Sequence, residues 1–266
     1  MEAVPELPEV ETLARQLRPL IEGAEILEVL GGSHHRYAAA RAAVGATVES
    51  VTRRGKYLLL GIGQGRELVL HLGMTGQLLW GAEPRDHVHL GLRFPAGTLW
   101  FRDPRRFGRA ALIHDGDRSA LATLYHLGPE PDDPAFTVRR VEEHLLAAGA
   151  PVKARLLEQR LVAGVGNYIA DEVLWRARVN PAARSVTREQ ARRLHRALRK
   201  VIADSVTAGG VSERDYLHVD GSHGSYGEQL AAHGRAGLPC LRCGQVLVKS
   251  RVAGRGTVHC PVCQPL

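Results

Sequence analysis

Cysteine is missing from the first 239 residues of this 266-residue chain, and all four cysteines lie beyond that point. No disulfide framework can hold the body together, which points to a reducing compartment and leaves the terminal thiols for a metal. No run of eighteen apolar residues occurs, so no membrane-spanning helix is expected. A secretory leader is not expected either, because Met1-Glu2-Ala3-Val4 lacks a basic stretch followed by an apolar one. No internal repeat is evident. Acidic residues are in deficit: Lys and Arg exceed Asp and Glu by seven, and the pI is near 9.6. That balance suits a polyanionic partner, although a merely basic soluble protein would share it. The length suffices for two domains, each with its own core.

What is present begins with Pro5-Glu6-Leu7-Pro8-Glu9-Val10-Glu11-Thr12, two prolines and three carboxylates in eight residues. Val10, Leu13, Ala14, Leu17, Leu20 and Ile21 then fall on one helical face. Pro8 and Glu9 suit a first helical turn, which leaves Pro5 and Glu6 without a structural purpose. Strand character follows at 25–30, 46–51, 56–61, 67–72, 87–92, 98–101 and 109–114, with glycine-rich turns between several of them. Such a series predicts an antiparallel sandwich or barrel up to about residue 125. Gly128-Pro129-Glu130-Pro131-Asp132-Asp133-Pro134 reads as a stiff linker. Beyond it the period becomes helical at 138–148, 152–159 and 167–178. A longer helix follows Thr187, where Gln190 completes a capping box, and Gly209-Gly210 stops it. Residues 211–236 read as loop.

Cys240-Leu241-Arg242-Cys243, sixteen residues, then Cys260-Pro261-Val262-Cys263 present four thiolates at the spacing of a tetrahedral structural zinc site. Residues 245–252, a Gly254-Arg255-Gly256 turn and residues 257–259 would make a hairpin between the knuckles. Two redox dithiols are the alternative. A zinc nucleobase deaminase is excluded, since none of the thirteen histidines has a glutamate two residues on. Gly164-Val165-Gly166-Asn167 opens a helix, where amides attract phosphate. A plain Asn cap explains it as well, and Ile169 spoils a dinucleotide fingerprint. Asp103-Pro104-Arg105-Arg106-Phe107-Gly108 and His71-Leu72-Gly73-Met74-Thr75-Gly76 are turns carrying a phenylalanine, arginines and one of only two methionines. An apolar side chain there can wedge between bases while arginine reads a base edge; core packing is the alternative. Proline at a true N-terminus is a secondary amine that titrates near ~8, against ~10.4 for lysine. It can attack a sugar carbon, with the neighbouring carboxyl moving protons.

Together these stretches, with Arg54-Gly55-Lys56 and Leu127-Gly128-Pro129-Glu130-Pro131, closely resemble the bacterial formamidopyrimidine-DNA glycosylase family over nearly the whole chain. The resemblance implies an α+β, two-domain protein. An N-terminal antiparallel β-sandwich with a flanking helix (1–127) and a Pro-rich linker (128–136) come first. A helix-two-turn-helix domain with a lesion-side loop (137–232) and a zinc-finger β-hairpin (233–266) follow, with DNA between the halves. It implies Pro5 as Schiff-base nucleophile, Glu6 as acid/base, and Lys56 and Arg255 beside them. His71, Asn167 and Arg255 would hold phosphates. Met74, Arg105 and Phe107 would fill the gap left by a flipped nucleotide, with Lys153 near the lesion and Ser212, Tyr216 and Tyr226 in the loop over the damaged base. One structural zinc would sit on Cys240, Cys243, Cys260 and Cys263. The implied reaction is removal of oxidised purines from duplex DNA followed by β,δ-elimination at the abasic site, by a cytoplasmic, nucleoid-associated monomer that binds no membrane.

The chain departs from the family pattern in places. Tyr168-Ile169 stands where Ile-Tyr is common, and Ala231-Ala232-His233-Gly234 replaces a tyrosine-containing stretch. Four residues precede Pro5, and a Pro5 nitrogen in a tertiary amide cannot attack. Val4 is therefore expected to mark the true start, read as methionine and then removed. With residues 1–4 in place the chain would be a non-catalytic binder of damaged or abasic DNA.

Overall fold

The computed structural model describes residues 5–119, 121–146, 149–211 and 217–266. They form two units: residues up to Tyr125 with Ala208–Ser225, and His126–Thr207 with Tyr226–Leu266.

In the first unit α1 (Leu7–Ile21) buries Val10, Leu13, Ala14, Leu17 and Ile21 as its period requires. Leu20 is 37% exposed, because at 100° per residue it sits roughly 80° off the stripe centre. α1 packs on β2 (Ser50–Arg54) and β3 (Tyr57–Gly61). These strands continue through β4 (Arg66–His71) to β8 (Arg109–His114) in one antiparallel sheet, ordered β2-β3-β4-β8. The other sheet is ordered β1-β6-β7-β5, from β1 (Glu28–Gly31), β6 (Val88–Phe94), β7 (Gly97–Arg102) and β5 (Gln77–Trp80). Leu58, Leu60, Leu68 and Leu70 from the first sheet meet Leu78, Leu90, Leu92, Leu99 and Phe101 from the second in a single core with α1. Alternate residues of each strand face inward, as a sandwich demands. A short helix α2 (Ala122–Tyr125) ends the run.

Two local readings change. Residues 46–48 are not a ladder strand; they pair irregularly with 23–26, and the regular strand begins at Ser50. β5 carries too short a pattern, four residues after Gly76, to show in the sequence; its pairing with β7 creates it.

In the second unit α3 (Val138–Leu145), α4 (Val152–Leu157), α5 (Asn167–Ala177) and α6 (Arg188–Thr207) pack α3 on α6, α4 on α5 and α5 on α6. The Thr187 capping box forms in both directions: Thr187 N–H donates to Gln190 Oε1 (2.8 Å) and Gln190 N–H to Thr187 Oγ1 (3.2 Å). α6 stops before Gly209 and Gly210, both at positive φ. β9 (Val248–Val252) and β10 (Arg255–His259) pair as the terminal hairpin. Its turn is Ala253-Gly254, so Arg255 is the first residue of β10 and not part of the turn.

The proline-rich stretch is not a detached spacer. Gly128 N–H donates to Gln159 O (2.8 Å) and Pro129 O accepts from Ala163 (2.9 Å), which lays it along the α4–α5 connection. Residues 208–225, expected with the helices, group with the sandwich instead. Val211 N–H donates to Glu9 Oε1 (2.6 Å), Val219 N–H to Gln16 Oε1 (3.1 Å) and Trp80 N–H to Val219 O (3.0 Å). Side chains of α1 thus hold a segment two hundred residues later in the chain.

Candidate functional site

The N-terminus of α1 carries the first group of candidate residues. The helix begins at Leu7, with Glu6 as its extended N-cap and Glu9 completing a capping box. Glu9 Oε2 accepts from Glu6 N–H (2.8 Å), while Oε1 accepts from Val211 N–H. Pro5, Glu6 and Glu9 are all buried. Burial, then the Glu6 charge, pushes the Glu9 carboxyl up to about 7, against the pull of the N–H groups it accepts. A Cβ on Gly210, at φ +84°, would come within 2.5 Å of Glu9 Oε1, so that carboxylate needs glycine opposite it. Glu9 had looked like an ordinary first-turn acid. Its spacing of three from Glu6 was the available signal for a capping box.

Lys56 lies in the two-residue Gly55-Lys56 turn between β2 and β3, with Gly55 at positive φ. His71 ends β4 and packs on the Tyr57 ring at 4.6 Å. Burial, then the nearby Lys56 and Arg109 charges, lowers the His71 imidazole to about 4. Its Nδ1 accepts from Gly73 N–H (3.2 Å). The neutral ring therefore keeps its proton on Nε2, as a donor.

Asp103, fully buried, joins the two turns that carry Met74, Arg105 and Phe107. Its carboxylate accepts from Tyr37 Oη (3.0 Å), Thr75 Oγ1 (2.7 Å) and Gly108 N–H (2.7 Å). Burial and the Asp103 charge hold the Tyr37 hydroxyl well above its ordinary value. A Cβ on Gly73 would strike the Phe107 backbone at 2.5 Å, so the turns pack backbone to backbone. Above this frame Phe107 is 43% exposed, with the Arg105 guanidinium 4.9 Å from its ring centre. Met74, between Gly73 and Thr75, is half-buried. Core packing does not account for Phe107. Neither Tyr37 nor Asp103 had been singled out for this work.

In the helical unit Gly166 is the N-cap of α5, and Asn167 is the first helical residue. Asn167 Nδ2 donates to Gly256 O (3.1 Å), so the asparagine ties the helix start to β10 rather than capping it. Arg255, next to that carbonyl, is exposed. Lys153, expected at DNA, is fully buried instead. Its Nζ donates to Asp171 Oδ1 (2.6 Å), Thr257 Oγ1 (2.9 Å) and Gly256 O (3.0 Å). A stranded ammonium would cost several kcal/mol, and these acceptors remove that cost. Asp171 Oδ2 also meets His233 Nδ1 (2.8 Å), in the stretch that departs from the family pattern. Glu172 accepts N–H bonds from Ala231, Ala232 and His233 and anchors the same stretch; burial raises its carboxyl nonetheless. Tyr226, expected in the lesion loop, is fully buried, 6.4 Å from the Tyr168 ring. Ser212 and Tyr216 lie outside the described residues. Tyr168 and Ile169 are buried packing residues.

The Sγ atoms of Cys240, Cys243, Cys260 and Cys263 all lie within 4.8 Å of one another. Four sulfurs at ~2.3 Å from a tetrahedral zinc would stand about 3.8 Å apart, so the cluster fits one such ion. Burial works against the Cys240 thiolate, but N–H donors from Arg242, Trp175 and Cys243 bring it down to about 6. Arg242 stacks on Trp175 at 4.2 Å and packs the knuckle against α5.

Family models match in three consecutive pieces. They are a formamidopyrimidine-DNA glycosylase N-terminal domain over residues 4–110, the H2TH domain of the same enzymes over 127–216, and a zinc finger found in FPG and IleRS over 237–266. The chain belongs to the formamidopyrimidine-DNA glycosylase family. The formamidopyrimidine-DNA glycosylase of Thermus thermophilus is 47% identical over 265 residues, covering 98% of each chain. That of Deinococcus radiodurans is 42% identical, covering 99% of this chain and 98% of the relative. The crystal structure of the MutM (Fpg) protein from Thermus thermophilus superposes with a TM-score of 0.92 over 98% of both chains. A Lactococcus lactis Fpg bound to abasic-site DNA, 35% identical, covers 98% of this chain and all of that one with a TM-score of 0.91. The zinc-finger match and the cysteine geometry agree on one structural zinc.

Proposed function

We infer that the chain excises oxidised purines from duplex DNA and cleaves the abasic strand through an imine on Pro5. The observation that carries this is the buried Pro5-Glu6 pair at the mouth of α1, with Glu9 holding the N-cap in place. The free amine of Pro5 attacks C1′ as the damaged base leaves. Opening of the sugar ring at C1′–O4′, with O4′ taking a proton, then converts the adduct to an iminium, which acidifies the C2′ hydrogen. Glu6 supplies and removes the protons, and successive eliminations break the 3′ and then the 5′ phosphate ester. Met74, Arg105 and Phe107 occupy the space of the extruded nucleotide, with Arg105 donating to the orphaned base. Lys56, Asn167, Arg255 and the Nε2–H of neutral His71 hold phosphates. Among the described residues no helix is long and apolar enough to cross a membrane. Work on genomic DNA implies the cytoplasm and nucleoid of a bacterial cell.

This chemistry requires Pro5 to be the first residue. Borohydride should trap a covalent adduct with 8-oxoguanine duplex, absent from Pro5→Gly and sharply reduced in Glu6→Gln. Tight binding with no adduct, in protein whose intact mass shows Pro5 first, would overturn the lyase. If residues 1–4 stay attached, the Pro5 nitrogen is an amide and the chain binds damaged DNA without cutting it.

A further inference from the structure

The helical unit has a second basic surface that the proposed reaction leaves unused. α6 exposes Arg192, Arg196, Arg199 and Lys200. Arg176, Arg193, Arg196 and Lys200 line a depression of about 240 Å³. A neighbouring one of about 430 Å³ shares Arg196 and Lys200 and runs on past Arg199 to Asp204. Asp204 is the only acid in either lining, and Lys200 already occupies it at 3.0 Å.

Part of this charge has a structural use. Arg193 Nε donates to Ala177 O (2.9 Å) at the C-terminal end of α5, where cations suit the helix dipole. Arg192 and Arg193 also face Glu189, loosely, at 4.0 and 3.9 Å. None of this accounts for Arg196 and Arg199. Arg176 Nε is buried and has no hydrogen-bond partner among the described residues, although the rest of the Arg176 guanidinium faces Tyr226 and Glu172. The cations recur every three to four residues, about 5–6 Å along the helix. A DNA strand offers one phosphate per ~3.4 Å of axis. A line of charge of this kind fits an extended polyanion better than a single phosphate. It is also separate from the phosphate-binding end of α5: Arg176 lies nine residues beyond Asn167, about 13 Å along the axis.

We propose that the face formed by Arg196 and Arg199 of α6 with the adjoining Arg176 of α5 binds the backbone of a second, undamaged duplex while a damaged strand occupies the primary site. Such a contact keeps the enzyme on DNA as it passes between neighbouring segments. The test uses full-length protein saturated with an unlabelled duplex carrying an abasic-site analogue, titrated with a fluorescent undamaged 20-mer at low salt. A rise in anisotropy is expected, weakened at least five-fold in Arg196→Glu/Arg199→Glu. Asp204→Asn should strengthen it. Excision of 8-oxoguanine by the same preparations should stay within two-fold of the unaltered protein, which separates this surface from the reaction and shows that the variants fold. No anisotropy rise with the saturated protein, or an equal rise in the double variant, would overturn the proposal.

Discussion

Glu9 is a buried carboxyl whose proton bears on stability. Its value of about 7 in the folded chain stands above the ordinary 4.5. The folded state therefore holds the proton more tightly than the unfolded one. The stabilisation from this group is complete below about pH 4.5 and is lost as pH rises through about 7. The difference amounts to roughly 3 kcal/mol. Urea unfolding between pH 4 and 8 should show this decline, and Glu9→Gln should flatten it. Asp103 acts differently, because three donors converge on it. Asp103→Ala strands them in the interior and should cost about 3 kcal/mol by denaturant unfolding. Lesion-duplex binding should fall with it. Arg105→Ala, on the exposed tip, should weaken lesion binding with under ~0.5 kcal/mol lost in stability.

At the scale of elements, the zinc hairpin is held to the helices by hydrogen bonds from Lys153 and Asn167 to Gly256 and Thr257, with the Lys153 charge paired to Asp171. Lys153 reaches Gly256 and Thr257 of β10 while paired to Asp171 on α5. Breaking one partner leaves the other as an uncompensated buried charge, so Asp171→Leu should cost roughly 3–5 kcal/mol. Lys153→Met/Asp171→Leu should cost far less than the sum of the single changes, a coupling that a double-mutant cycle on thermal unfolding reads directly. Arg255 sits one residue from Gly256, whose carbonyl Lys153 holds. The charge of Lys153 is visible in the sequence. Its burial is not, because Asp171 and Thr257 lie 18 and 104 residues away.

For the whole molecule, an excess of seven cations makes DNA binding a counterion-release process. Affinity for lesion duplex should fall steeply and log-linearly with salt. Arg255→Ala should reduce the slope by about 1 if it contacts a phosphate. Titrations between 50 and 200 mM salt would measure it, and an unchanged slope would remove Arg255 from the phosphate contacts.

The sequence alone determined the features that local chemistry dictates. Cys-x-x-Cys spacing named the metal ligands, strand alternation named the sandwich, and Thr187 with Gln190 named the start of α6. The exposed turn that carries Phe107 was legible too, since a phenylalanine there has no local purpose. Tertiary structure decided where buried polar groups find partners. Glu9 meets Val211, Asp103 meets Tyr37, Lys153 meets Asp171, and Glu172 meets Ala231. Each pair joins residues far apart in the chain. Burial penalises an unpaired charge or donor wherever it lies, and only the folded backbone determines which groups are brought within hydrogen-bond reach. For the same reason Tyr226 and Lys153 are buried, and residues 208–225 group with the sandwich.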